Sequence, residues 1–353
     1  MRRRALRLAA NAIGLLIVAA PAITMETACR APLPAPRSAF GVTTPADQHQ
    51  SSAALLAYPA WSIVHSQQDF AASLRGGDAD RFAYASAIRD YWVGLCGVNR
   101  ASPGTTLSTR IGLYALGAAF TAQTALAGVY ENTLGRAFAA LRGPRPTAED
   151  LFQRQFAAES AAYLAEHPWH DIGFWPALHH LWWEIPLDHP PRARAIERRA
   201  VLGAAWGIDA LVATALAGVT GNEITEDRVE LVVSGHDRAR LTAFGDLTVT
   251  ADLGGGNLRL SAPRAAFSTR LLAVLAAGWQ LREIDGSTTV FATILLPEVY
   301  SGALPDGSVI FTTTPPARPL WHRIGLRVPA AALAALVAQI TKNGGEIEQI
   351  YDF

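Results

Sequence analysis

The hydrophobic and polar positions along the chain change period three times, and each change marks a boundary. Residues 12–20 (AIGLLIVAA) are uniformly apolar and follow a basic head of Arg2, Arg3, Arg4 and Arg7. That is the layout of a secretory signal, with Ala20-Pro21-Ala22 as a small-x-small cleavage site. Read from Leu8 to Met25, the same run nears the roughly 20 residues needed to cross a bilayer, and would then be a retained anchor. Residues 1–28 are therefore expected to be a signal peptide or membrane anchor, with the arginines cytoplasmic and the rest of the chain outside. Ala28-Cys29 also admits a lipoprotein site, although Glu26 stands where an aliphatic residue is expected. Residues 29–52 open with a Pro-rich stretch (31–37, APLPAPR) and show no apolar period, as a linker would.

From 53 to 222 the spacing is helical. Two long apolar runs stand out, 111–130 and 200–219, and the chain around them repeats at an offset of 90. TALAGVYEN at 124–132 recurs as TALAGVTGN at 214–222, with Trp92 on Trp182 and Gly117 on Gly207. This predicts a mainly α-helical middle module built by duplication. Both runs could span a bilayer, with Arg192, Arg194, Arg198 and Arg199 before the second and Glu223, Glu226 and Asp227 after it, as the positive-inside rule prefers. Asp209 argues the other way, since a carboxylate at mid-span costs about 2.5–3.5 kcal/mol. The runs are rich in Ala and Gly, which suit close helix packing, so buried core helices are the expectation.

From 223 to 353 the period switches between two and 3.6. LRLSAP at 258–263 matches IGLRVP at 324–329, and the match continues at an offset of 66 through Gly278 on Gly344 and Ile284 on Ile350. Each copy reads strand, Pro, helix, Gly, strand. Two βαβ units joined by a strand pair at 289–296 and 308–313 predict an α+β, ferredoxin-like domain. Upstream, 229–233 and 247–251 are expected to add edge strands.

Composition narrows the function only a little. Half the residues are hydrophobic, 17% are charged and the net charge is zero, so a folded chain is expected and nucleic acid is not. Cys29 and Cys96 cannot make a zinc site alone and could form at most one disulfide, provided the N-terminal segment stays attached. There is no GxSxG, Walker A or CxxC, and no catalytic residue or cofactor can be assigned.

The segment 167–189 (HPWHDIGFWPALHHLWWEIPLDH) holds five of the nine histidines and four of the nine tryptophans, so chemistry is sought there first. A metal or haem site would use His167 and His170 with His180 and Glu184, the last two sharing a helix face. Alternatively, Trp169, Trp175, Trp182 and Trp183 have the mixed apolar and polar character favoured at a membrane–water interface. An enzyme would need a cleft joining Asp171, His180 or Glu184 to the C-terminal domain. Arg323 and Arg327 share a strand face, either solvated or able to hold an acidic group. The expectation is an envelope-located, membrane-tethered binding or assembly protein on the periplasmic side. Its partners would be lipid, through the N-terminal segment, and another protein. A metal- or haem-binding protein and an enzyme of unknown class are the alternatives.

Overall fold

The computed structural model describes residues 22–29, 53–102, 105–164, 167, 169–187, 192–220, 228–235, 241, 244, 246–263 and 267–351. The basic head, the apolar run 12–20, the linker from residue 30, His189 and the acidic residues at 223–227 lie outside them. The described chain is mixed α and β, with helices in the middle followed by two four-stranded antiparallel sheets.

The middle module contains α1 (Ala53–Arg75), α2 (Tyr84–Ala101), α3 (Leu107–Tyr130), α4 (Arg136–Arg142), α5 (Ala148–Tyr163), α6 (Phe174–His179) and α7 (Arg192–Thr220). Thr106 starts α3 by accepting a bond from the Thr109 backbone N–H, and a capping box between Thr147 and Asp150 starts α5. A π-helical turn at Glu131–Gly135 carries α3 into α4 without a break, and another at His180–Glu184 extends α6. The element starts recur. A 3-10 turn at Ala79–Arg81 precedes α2 at Tyr84, and a 3-10 turn at Trp169–Asp171 precedes α6 at Phe174, each ninety residues on. Close approach of α2 to α3 depends on Gly117 and Gly128, where a Cβ would collide with the rings of Tyr91 and Tyr84.

The short helix at 22–28, with Cys29 directly after it, belongs to this body. Met25 and Cys29 are buried with Tyr91, Leu95 and Tyr114, and Cys29 is disulfide-bonded to Cys96 of α2. Glu26 accepts bonds from Arg110 Nε and Tyr114 OH, both at 2.8 Å. The bonded Cys29 sulfur is no longer free for the thioether that a lipoprotein requires.

The C-terminal strands are β1 (Arg228–Ser234), β2 (Thr248–Gly254), β3 (Asn257–Pro263), β4 (Gln280–Ile284), β5 (Thr289–Pro297), β6 (Val309–Thr313), β7 (Trp321–Pro329) and β8 (Glu346–Tyr351). Helix α8 (Phe267–Ala276) lies between β3 and β4, and α9 (Ala330–Lys342) between β7 and β8. The single ferredoxin-like sheet expected from the sequence is replaced by two sheets, ordered β2-β3-β1-β4 and β6-β7-β5-β8. The reason lies in β1 and β5. Each pairs antiparallel with both flanking strands of its βαβ unit and fills the gap that the crossover leaves. β1 is thus an inner strand and not the edge strand expected, with Val229, Leu231 and Val233 buried. One apolar core joins the sheets, because α9 packs on β4 of the first sheet and α8 reaches β8 of the second.

The second sheet also seals against the helices. Tyr58, Val98 and Ala101 share a cluster with Phe291, Phe311 and Tyr351, and a Cβ on Gly97 would strike the Ile310 carbonyl.

Candidate functional site

The histidine and tryptophan segment divides into two places. His167 stacks on Tyr163 with its Nδ1 3.2 Å from the Tyr163 carbonyl, while His170 Nε2 lies 3.7 Å from Asp171. One turn of helix away, His180 Nδ1 lies 2.7 Å and His179 Nδ1 3.1 Å from opposite oxygens of Glu184, all three exposed. The bond to His180, and then that to His179, holds the Glu184 carboxyl below its ordinary value. The four residues put forward as metal ligands therefore contact one another only through the His180–Glu184 pair. Among the described residues no three His, Cys, Asp or Glu side chains are grouped to hold a metal ion. His180 rests on Phe152 of α5, and α6 packs on α7, so this region faces helices and not the sheets.

The tryptophans flank α7. Trp175 donates to Thr214 Oγ1 at 3.2 Å, Trp182 covers Gly203, and Trp183 stacks on His179 with 76% of its surface exposed. Trp169 is half-buried against Phe174.

Beside them lies an apolar helix surface. The helix 107–142 is long and apolar enough to cross a membrane by length and composition, yet only 22% of its apolar window is buried. Leu126 and Val129 on α3 and Ile208 and Leu211 on α7 are each more than 60% exposed. The core-helix expectation therefore fails for one side of each helix: α3 packs on α2 through the face that carries Gly117, Gly128 and Tyr114, and α7 on α5 through Leu202, Trp206 and Ala213. Gln123 donates to Asp209 at 3.0 Å and links the two helices; burial still pushes the Asp209 carboxyl up to about 6.

Two buried ion networks were not anticipated. At the far end of α3 and the start of α7, Arg198 is fully buried between Glu131 (2.8 Å) and Glu197 (2.6 Å). Arg194 bridges Asp150 and Glu197, each at 2.9 Å; Arg199 holds Glu149 at 2.9 Å; and Arg142 joins Asp150 to Asp78. Burial alone would lower the Arg198 pKa, but its bonds to Glu197 and Glu131 outweigh that and raise it. The arginines at 194, 198 and 199 are thus consumed inside the fold and cannot serve as a positive-inside flank. Their clustering in RARAIERR was the available signal, and the acidic partners at 131 and 149–150 were too distant in sequence to pair with it.

The second network seals α1 to the second sheet. Arg323 donates two bonds of 2.7 Å to Glu348, and its Nη1 lies 3.5 Å from Asp69. His65 Nδ1 sits 3.5 Å from Glu348, and its Nε2 is 3.5 Å from the Tyr351 hydroxyl. Burial pushes the His65 imidazole down to about 4 and the Asp69 carboxyl up to about 6. Arg323 is buried and neutralised, so it neither lies on a solvated face nor awaits an acidic ligand. An open cleft of about 370 Å³ lies over the disulfide, with Trp92, Ile310 and Phe311 in its wall and Arg89 and Arg100 at its rim; among the described residues no His, Asp or Glu lines it. Comparison with known proteins finds no matching family model, no matching curated protein and no matching solved structure.

Proposed function

We propose that this chain is an envelope-located, membrane-tethered binding or assembly protein, with the N-terminal apolar run as the tether and the folded body beyond it available to a protein partner. The observation that carries the proposal is the Cys29–Cys96 disulfide. It welds the segment directly after the apolar run to α2, and such bonds persist in oxidising compartments and are rare in reducing ones. The buried titratable groups support a structural use, because each network pairs its charges inside the fold and neither opens on the cleft. The recurrence at ninety residues in the helices and at sixty-six in the sheets, read as duplication, supports an assembly role.

The test is the thiol state of the full chain in intact cells. Free thiols are blocked before lysis, the disulfide is then reduced, and newly released thiols are tagged with a mass label. Two tags on protein recovered in the membrane fraction are expected. Cysteines already blocked before reduction, on protein in the cytosolic fraction, would overturn the proposal.

A further inference from the structure

We infer that the exposed side of α3 and α7, with Trp175, Trp182 and Trp183 at its margin, is a docking surface that lies flat in the headgroup–acyl boundary of a bilayer. The inference rests on the envelope proposal only for bringing the chain to a membrane.

The surface is apolar over a definite length. Between Ile111 and Tyr130 on α3 there is no charged residue, and between Ala200 and Ala215 on α7 there is only Asp209, already bonded by Gln123. Twenty residues of helix extend about 30 Å. Fourteen of the twenty-two exposed large apolar side chains among the described residues fall on α3, α4, α6, α7 and their π-helical turns. A soluble monomer rarely exposes a contiguous apolar patch beyond about 300–600 Å². Helical periodicity sets the exposed side of α7, which carries Ile208 and Leu211, between α3 on one flank and the tryptophans on the other. The three elements therefore form one layer, with amphipathic indoles at its border, the composition of an interfacial helix surface.

Two observations select a bilayer lying along the layer over one that the helices cross. Helix α2 presents Tyr91 to Gly117 of α3 and Gly97 to β6, so the second sheet lies beyond α2 beside the first half of α3. Were residues 111–130 to span hydrocarbon, β6 would be carried in with them. β6 is an edge strand, and an open sheet edge has no place in hydrocarbon because its backbone groups would be left unbonded. A flat orientation keeps α2 and both networks on the water side. The second observation is where the chain joins the body. The short helix at 22–28 is fastened by Glu26 to Arg110, at the start of α3, so the apolar run at 12–20 attaches next to one end of the exposed layer.

The experiment uses the full chain reconstituted in phosphatidylethanolamine–phosphatidylglycerol vesicles. Both native cysteines are in the disulfide, so a single introduced cysteine is the sole free thiol. Nitroxides are placed one at a time at Ile111→Cys, Leu126→Cys and Leu211→Cys, with Val299→Cys as the water control. Collisions with oxygen and with a water-soluble nickel complex then report depth. The expected result is protection from nickel at all three test positions and a similar shallow depth, about 5–10 Å below the headgroups. Leu126 deep with Ile111 near a surface would mean a span and overturn the inference. Nickel access at all three, in chain still bound to vesicles, would mean a face in water and overturn it while leaving the tether intact. Spin coupling that disappears on dilution with unlabelled chain would identify a second copy as the occupant, and would overturn it as well.

Discussion

Replacing Arg198 by Met should be among the most damaging single changes available to this chain. The side chain is fully buried and contacts Glu131 and Glu197 at 2.8 and 2.6 Å. Methionine fills much of the volume but leaves both carboxylates without that guanidinium. Glu197 keeps Arg194 at 2.9 Å, whereas Arg198 is the guanidinium that holds Glu131 with two bonds. Breaking a buried pair from one side costs about 3–5 kcal/mol, largely because the partner stays buried and charged. Removing that charge too, in Arg198→Met with Glu131→Leu, should recover about half of the loss. Replacing both partners by apolar groups is often close to neutral, but Glu197 still forfeits one of its two arginines. Urea unfolding of the detergent-solubilised chain, followed by tryptophan fluorescence, measures both variants and the Glu131→Leu single change as a cycle. A loss under 1 kcal/mol for Arg198→Met, or a double variant less stable than both single ones, would refute the argument that the network holds α3 to α7.

Other consequences follow from the same geometry. Cys96→Ser opens a loop of 67 residues and should cost about 4 kcal/mol in the chain-entropy account, seen as a lower urea midpoint matched by reduced wild type. Gly117→Val drives side-chain carbons into Tyr91 and should lower the melting temperature of the chain, whereas Gly112→Ala, with open space around it, should not. His65 is depressed to about 4 when folded against an ordinary 6.5, so its neutral form is required by the fold. Stability from this group is full above pH 6.5 and is lost as pH falls toward 4, by about 3 kcal/mol. Asp69, raised to about 6, works the opposite way, so His65→Gln should leave stability flat or rising from pH 6 down to 4.5, where Glu348, held below its ordinary value, begins to lose its stabilisation; a continued fall within that range would contradict the assignment. Purified chain should carry well under one equivalent of transition metal by elemental analysis, since His167 and His170 make their contacts away from the His180–Glu184 pair.

Local order was readable from the residues to the extent that period and punctuation govern it. Gly278 and Gly344 end their helices at φ of 90° and 77°, where glycine is favoured, and the strands around them fall at the sixty-six-residue offset in both copies. What period cannot supply is which strand fills the gap left by a crossover. Val229–Val233 and Thr289–Leu296 became inner strands and made two sheets, a choice decided by how α8 and α9 share one core. The candidate site shows the same limit. The spacing of His180 and Glu184 correctly put them on one helix face, but His167 and His170 were brought near in sequence and not in space. Arg194 and Arg198 share Glu197 nearby, but their other partners, like those of Arg199 and Arg323, lie 44 to 67 residues away or across a sheet, beyond the reach of any local pattern. Exposure of Leu126 and Val129 was likewise invisible, because an apolar helix facing a core and one facing lipid have the same composition.

The most direct measurement of the account is a topology map with reporter fusions after Ala53, after Glu159 and at the C-terminus of the full chain. The account predicts an outward signal at all three positions, as a single N-terminal tether and a body that stays on the outer side and crosses nowhere else require. An inward signal at Glu159 between outward flanks would mean that α3 and α7 cross the bilayer, and an inward signal at all three would place the body in the cytoplasm; either contradicts it.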